Sequence, residues 1–166
     1  EHSLSPKLHN YWFEKNNIDA NYDKKKIEKN EIQEIISEIK DNKLDGLNVT
    51  VPFKSDVIPF LDILSEESKI TQSVNTIYMH DKKLIGHNTD TKGFELSIKE
   101  TNFELKNKKI FILGAGGVVP SIIYALEKLG ASKIIISNRT KQKAENLKKN
   151  FSKISVVDWG DQPEFD

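Results

Sequence analysis

The chain contains a single arginine, Arg139, among 25 lysine and arginine residues in total. It follows an apolar run at 134–136 and lies 22 residues after Gly117, the last glycine of a glycine-rich segment. In a dinucleotide-binding fold, an acidic side chain at this distance binds the 2′-hydroxyl of NAD, whereas an arginine accommodates the 2′-phosphate of NADP. A planar guanidinium with several fixed donors suits that phosphate. Arg139 therefore predicts a site that prefers NADP.

The glycine-rich segment lies between an apolar run and an amphipathic helical pattern. Gly114 would allow a tight turn, and Gly116 would let the backbone approach a pyrophosphate at the N-terminus of the next helix. Val119 stands where the fingerprint has its third glycine, so an ordinary glycine turn is the alternative interpretation. The spacing to Arg139 favours cofactor binding over that alternative.

Ser3 and Ser5 flank Leu4 just before Pro6 at the start of the chain. Ser5 can be the N-cap of a helix that has proline at its first position. Free amide groups and two hydroxyls would then form an anion site suited to a carboxylate. Plain helix capping explains the same residues without any ligand.

Polar residues that could take part in binding or catalysis also lie in or after β-like segments in the first half of the chain. In the run at 46–51, Asn48 and Thr50 would share one side of a strand, while Val51 would take the core side with Val49. Lys54 follows Pro52, and a lysine is usually a surface residue. Asn75 and Asp90 have equally simple interpretations, as a turn residue and as a helix cap.

The order of apolar patterns predicts an α/β protein. Isoleucines at 32, 35, 36 and 39 have helical spacing, strands are expected near 75–79 and 83–85 around a turn at 80–81, and a helix is expected from 91 to about 101. From residue 109 onward the pattern is strand, helix, strand, helix, strand. This βαβαβ order is half of a Rossmann-type nucleotide-binding sheet. We place a boundary between a first domain, 1–103, and a second, 104–166.

The composition excludes several kinds of site. Equal numbers of acidic and basic residues, 25 each, argue against nucleic acid as a partner. No cysteine is present, and the four histidines lack metal-ligand spacing, so no metal is expected. No apolar run is long enough to cross a bilayer. We expect a cytoplasmic protein that acts on a small molecule without membrane contact.

Taken in order, six segments resemble the shikimate dehydrogenase family. No single segment is decisive, but all six occur in the family's order over nearly the whole chain. They are His-Ser-x-Ser-Pro at 2–6, Asn-Val-Thr-x-Pro-x-Lys at 48–54, Val-Asn-Thr at 74–76, Gly-x-Asn-Thr-Asp at 86–90, Gly-Ala-Gly-Gly at 114–117 and Asn-Arg-Thr at 138–140.

The resemblance implies an enzyme that uses NADP to reduce 3-dehydroshikimate reversibly to shikimate, in the biosynthesis of chorismate and the aromatic amino acids. It implies that Lys54 and Asp90 form the catalytic pair, with Lys54 either transferring a proton or orienting the hydroxyl. The implied substrate ligands are Ser3, Ser5, Asn48, Thr50, Asn75 and Asp90. The implied cofactor ligands are Gly114, Ala115, Gly116, Gly117, Val118, Asn138, Arg139, Thr140 and Lys143. A monomer or homodimer is expected.

The chain also departs from the family pattern. The family's first strand, the later strands of its cofactor domain and its C-terminal helices have no counterpart here, which implies a fragment. Lys143 stands where the family often has arginine, which keeps the charge but loses the bidentate fork. Three other functions are open: a quinate/shikimate dehydrogenase, a non-catalytic shikimate-sensing domain, and an NADP reductase of other specificity. Retention of both Lys54 and Asp90 favours the enzyme.

Overall fold

The computed structural model describes residues 3–166, so His2, which begins the first of the six segments, lies outside the described residues together with Glu1. Backbone contacts divide the chain into two units, Glu1–Glu31 and Ile32–Asp166. The domain boundary between residues 103 and 104 stays a prediction.

The first unit contains one α-helix, α1 (Ser5–Lys15), and a 3₁₀ turn at Lys29–Glu31. The expectation that Ser5 is the N-cap is wrong. Leu4 already has helical backbone angles and occupies the cap position without a side-chain bond. Ser3 takes over part of the capping, because its Oγ accepts a hydrogen bond from the Ser5 amide at 3.3 Å.

A four-stranded sheet occupies the first part of the second unit, in the order β1-β3-β4-β2. The pairs β1–β3 and β3–β4 are antiparallel, and β2–β4 is parallel. Helix α4 begins directly beyond the end of β4. The elements are α2 (Ile32–Lys40), β1 (Gly46–Asn48), β2 (Ile63–Leu64), α3 (Glu66–Thr71), β3 (Thr76–His80), β4 (Lys83–His87) and α4 (Asp90–Glu100).

A three-stranded parallel sheet follows, in the order β5-β6-β7. Its elements are β5 (Lys109–Leu113), α5 (Val119–Lys128), β6 (Lys133–Ser137), α6 (Lys141–Leu147) and β7 (Ile154–Val157). The predicted α/β class and the βαβαβ half-sheet are confirmed. Gly130, with φ of +84°, follows the C-cap of α5 and terminates the helix as expected.

Apolar side chains from helices and strands form the core. The four periodic isoleucines of α2 are all buried, which confirms that helix. The core of the parallel sheet is formed by Leu105, Val119, Ile123, Leu126, Ile134, Ile136, Ala144, Phe151 and Ile154. Burial of such side chains from water is the main force that holds each sheet against its helices.

Two local predictions are wrong. The strand expected to reach Val51 ends at Asn48, and Val51 is 65% exposed instead of core-facing, because the backbone enters a turn there. The hairpin turn expected at 80–81 lies one residue later. Asp81 and Lys82 both have positive φ, as a two-residue turn that matches the twist of paired strands requires.

Candidate functional site

Lys54 and Asp90 form an ion pair inside the second unit. Lys54 Nζ donates to Asp90 Oδ2 at 2.6 Å, and the two side chains are only 15% and 22% exposed. The interpretation of Lys54 as a free surface lysine is therefore wrong. A partly desolvated ammonium and carboxylate attract each other more strongly than an exposed pair does.

Asn75 holds the carboxylate from a second direction. Its Nδ2 donates to Asp90 Oδ1 at 2.9 Å, and its Oδ1 accepts from the backbone N–H of Thr89 at 3.0 Å. The backbone of Asn75 donates to the carbonyl of His87 and accepts from the amide of Val49. Asn75 is thus fixed between two neighbouring segments and presents its amide to Asp90.

Asn48 lies next to this group, and Thr50 follows it. Asn48 Nδ2 is 3.3 Å from the carbonyl oxygen of Asn75 and 3.2 Å from Thr76 Oγ1. Both Asn48 and Thr50 are exposed, as expected for one solvent-facing side of the segment. Their polar groups are accessible to a small molecule.

Asn88 caps α4, so Asp90 is free for other contacts. Asp90 is the first residue of the helix, and Thr89, at the cap position, makes no side-chain cap bond. Asn88 Oδ1 accepts instead from the amides of Asp90 at 3.0 Å and Thr91 at 3.3 Å. The alternative interpretation of Asp90 as a helix cap is therefore wrong.

The glycine-rich segment connects β5 to α5. Gly114 has a φ of +114°, which L-residues with a side chain avoid, and its amide donates to the Ser137 carbonyl at the end of β6. Ala115 donates its amide to Asn138 Oδ1 at 3.0 Å, and Asn138 Nδ2 donates to the Thr140 carbonyl at 2.7 Å. Asn138 thereby fixes the turn against the segment that carries Arg139.

The outer side of this turn is open. A Cβ placed on Gly114 or Gly116 would meet no atom within 4 Å. Among residues 3–166, no hydrogen-bond acceptor is found for the amides of residues 116–118. Val118 occupies the cap position of α5 without a side-chain cap. Free amides at a helix N-terminus, with open space beside them, can receive an anion.

Arg139 and Lys143 are exposed beyond the end of β6, as is Thr140. Within the described part of the chain, the Arg139 guanidinium has no hydrogen bond or ion pair. The neighbouring Lys141 differs, since its Nζ lies 2.7 Å from Asp158 Oδ1. That contact raises the pKa of Lys141. Arg139 is thus available to an anionic group, whereas Lys141 is already paired.

One cleft joins the ion pair to the glycine turn. Lys54 lines it together with Val51 and Pro52 from one side, and Gly117 and Pro120 line it from the other. A Cβ on Gly117 would lie only 3.3 Å from Val51 Cγ2, so the two walls are close. The sequence did not reveal this role of Val51, because its alternation with Val49 suggested a core residue.

A second ion pair lies between α4 and α5. Lys128 Nζ is 2.8 Å from Oε1 of Glu95, which is only 4% exposed. Burial acts to raise the pKa of Glu95, but close contact with the charged Lys128 outweighs it and the pKa is lowered. The same contact raises the pKa of Lys128. This pair joins the helix that begins at Asp90 to the helix that follows the glycine turn.

Ser3 and Ser5 belong to the first unit. Tyr22 forms a side-chain hydrogen bond with Ser5 there, although burial has the larger effect on Tyr22 and raises its pKa. Their predicted role as carboxylate ligands stays a prediction. In residues 3–166, no cluster of three or more metal-ligating side chains occurs, and no helix has the length and apolar character of a membrane span.

Two family models match consecutive parts of the chain. Residues 1–77 match the "Shikimate dehydrogenase substrate binding domain", and residues 95–161 match "Shikimate / quinate 5-dehydrogenase". The shikimate dehydrogenase (NADP(+)) of Pelagibacter ubique is 56% identical over 166 residues, which are 100% of this chain and 63% of that protein. The enzyme of the same name from Carboxydothermus hydrogenoformans is 42% identical, and the match covers 98% of this chain and 59% of that protein.

Solved structures give the same result. Shikimate dehydrogenase from Aquifex aeolicus has a TM-score of 0.87 and 41% identity, over 94% of this chain and 58% of that one. Shikimate 5-dehydrogenase from Thermus thermophilus, solved with NADP(H) and shikimate, has a TM-score of 0.84 and 30% identity, over 94% and 58%. The chain therefore spans less than two thirds of the length of these relatives.

Proposed function

The chain belongs to the shikimate dehydrogenase family, and on this premise we propose that it takes part in the NADP-dependent, reversible reduction of 3-dehydroshikimate to shikimate. One observation carries the proposal: Lys54, which is paired with Asp90 at 2.6 Å, lines the cleft that Gly117 of the glycine turn also lines. A proton-transfer group and a dinucleotide site on one cleft are the two parts that a ketone reductase needs.

The residues present fit NADP. Open space over Gly114 and Gly116 leaves room for a pyrophosphate beside the free amides at the start of α5. Arg139, with Thr140 and Lys143, would hold the 2′-phosphate. Asn138 would fix the position of this segment relative to the glycine turn through its two hydrogen bonds. When bound, NADP would supply the acceptor for a hydride in shikimate oxidation and the donor in the reverse direction.

Lys54 would move the proton. Hydride addition to a ketone creates negative charge on its oxygen, and an ammonium within hydrogen-bond distance can donate a proton to that oxygen as it forms. In the reverse direction, Lys54 as the neutral amine would take the proton from the hydroxyl and become the ammonium again. Asp90 holds the ammonium through the 2.6 Å contact, and Asn75 in turn holds the Asp90 carboxylate at 2.9 Å, which keeps the donor oriented before substrate arrives.

The substrate ligands follow from the same arrangement. Asn48, Thr50 and Asn75 would bind ring hydroxyls, as would Asp90, because their polar groups lie around the Lys54 ammonium or at the exposed end of β1. The assignment of the carboxylate to Ser3 and Ser5 rests on the resemblance to the family, and not on the geometry around Lys54. A place in chorismate and aromatic amino-acid biosynthesis follows from this substrate and belongs to the proposal.

The test is an assay of NADP reduction by the purified full-length protein with shikimate, with quinate and NAD as comparison substrate and cofactor. We expect reduction with shikimate and NADP, and much slower reduction when NAD replaces NADP. Faster turnover of quinate would assign the quinate branch instead. Specific shikimate binding without any cofactor reduction would favour a sensing domain and contradict the enzyme.

A further inference from the structure

We propose that Asn88 is a positioning residue that fixes the Lys54–Asp90 pair relative to α5, the helix that follows the glycine turn. Asn88 is only 1% exposed, and its side chain contacts Ser73, which lines the cleft, and Ser121, which follows Pro120 of the opposite wall. This inference rests on the proposed function, because Asn88 would align the proton-transfer pair with the proposed cofactor site.

The oxygen of the Asn88 side chain fixes Asp90. Oδ1 accepts from the amides of Asp90 and Thr91 at 3.0 and 3.3 Å and so holds the first turn of α4. The Asp90 carboxylate projects from this turn toward Lys54 and Asn75. A shift of Asn88 would therefore move the backbone from which the carboxylate extends.

The nitrogen of the same side chain fixes the lysine side of the pair. Nδ2 lies 2.9 Å from the carbonyl oxygen of Ser73. The next residue, Val74, donates its amide to the Lys54 carbonyl at 2.8 Å, and Asn75 then donates to Asp90. One buried amide group thus contacts the backbone that carries Asp90 and also the segment at 73–75, which is bonded to the backbone of Lys54.

Asn88 also reaches α5. Its Nδ2 is 2.9 Å from Ser121 Oγ, and Ser121 is fully buried in the first turn of the helix. The Ser121 amide bonds to the carbonyl of Val118 at the end of the glycine turn. Asn88 is therefore joined to the free amides of the turn by a short path of hydrogen bonds and one helical turn.

Ser121 offers a milder test than Asn88 itself. The amide of Asn88 has two hydrogens and three acceptors within reach, the third being Thr71 Oγ1 at 3.2 Å. Ser121→Ala leaves Asn88 two acceptors, so the protein should fold while the link to α5 is lost. Thr91→Val is the matched control, because Thr91 Oγ1 is equally buried but has no hydrogen-bond partner.

The kinetic expectation separates positioning from folding. Ser121→Ala should lower kcat for shikimate oxidation roughly two- to ten-fold, the effect of one net hydrogen bond, with KM for shikimate nearly unchanged. Thr91→Val should keep the kcat of the wild type. Equal kcat values for Ser121→Ala and the wild type would overturn the inference.

A second experiment measures backbone amide chemical shifts by NMR while NADP is added to the wild type and to Ser121→Ala. In the wild type, we expect NADP to shift the amides of Gly116, Gly117, Asp90 and Thr91. In Ser121→Ala, the glycine signals should still shift, and the Asp90 and Thr91 shifts should shrink at least by about half, as expected when a direct link is removed. Glycine shifts with undiminished Asp90 and Thr91 shifts would overturn the inference alone. If no amide responds to NADP, the proposed cofactor site fails and this inference fails with it.

Discussion

At the scale of single residues, the proposed chemistry depends on two side chains that lie far apart in sequence but are in direct contact in the structure. Lys54 and Asp90 are 36 residues apart and meet at 2.6 Å. Composition cannot single out either residue as functional, because the chain has 25 basic and 25 acidic residues. Only the order of the surrounding motifs pointed to them. The contact itself depends on the pairing of β3 with β4 and on the position of α4, which motifs do not encode.

Replacement of Lys54 by alanine should reduce turnover far more than substrate binding. Proton transfer by a positioned group contributes about 10²- to 10⁴-fold to a rate, so kcat for shikimate oxidation should fall by that order. KM for shikimate should change much less, because several other polar groups would bind the ring. Lys69→Ala, on α3, provides the control. A turnover number within a few-fold of the wild type would leave Lys54 as a binding residue only.

Replacement of Arg139 by alanine should weaken NADP binding and leave NAD binding almost unchanged. A hydrogen bond to a charged group contributes about 1.5–3 kcal/mol, so the Kd for NADP should rise roughly ten- to a hundred-fold. NAD lacks the 2′-phosphate that Arg139 would contact. Titrations of both cofactors against wild type and variant measure the two effects.

Lys141→Ala is the matched control for Arg139→Ala. Lys141 lies two residues away and has a similar charge, but it is already paired with Asp158 at 2.7 Å. NADP affinity should therefore change much less in Lys141→Ala. Equal losses of NADP and NAD affinity in Arg139→Ala would mean that Arg139 shapes the adenosine pocket and does not recognise the phosphate.

At the scale of elements, regular patterns were predictable and short elements were not. The isoleucine spacing of α2 and the repeated apolar runs of the parallel sheet each identified an element, because a buried face imposes its period on the sequence. The two-residue strand Ile63–Leu64 and the six-residue helix α3 are too short for any period to emerge. Asn88 was missed for a different reason. Its contact with Ser121 depends on how α4 and α5 pack.

The packing of α4 on α5 should depend on pH through Glu95. The pKa of Glu95 is lowered in the folded protein, so its stabilising effect is present above the ordinary glutamate pKa of about 4.3 and is lost as pH falls through the lower folded value. Lys128 has a raised pKa, and its contribution is lost only as pH rises through that value. The pair should therefore stabilise the protein across the neutral range.

Glu95→Gln should thus lower the free energy of unfolding by about 1–3 kcal/mol at neutral pH. The difference from the wild type should shrink as the pH is lowered below the ordinary glutamate range. Urea unfolding at a series of pH values measures this difference. Glu145→Gln, which breaks an exposed pair with Lys148, should have little effect at any pH. A Glu95→Gln difference that does not vary with pH would show that packing, not charge, is lost.

At the scale of the whole molecule, we propose that one cleft combines a proton-transfer pair with a dinucleotide site. The α/β class and the half-sheet were predictable from the alternation of patterns. The cleft was not, because it depends on Val51 lying outside the strand and so close to Gly117 that a Cβ added to that glycine would be 3.3 Å from Val51 Cγ2. In a sequence, an exposed valine at a turn cannot be told from a core valine. Only the structure therefore shows that Val51 lines one side of the cleft.

The most direct measurement follows deuterium from shikimate labelled at the carbon that bears the oxidised hydroxyl. If hydride passes within the cleft while Lys54 handles only the hydroxyl proton, the deuterium should appear on the reduced nicotinamide of NADPH, as seen by mass spectrometry. The rate of NADPH formation should match the rate of 3-dehydroshikimate formation. Deuterium in the solvent, or oxidation of shikimate without labelled NADPH, would contradict the account.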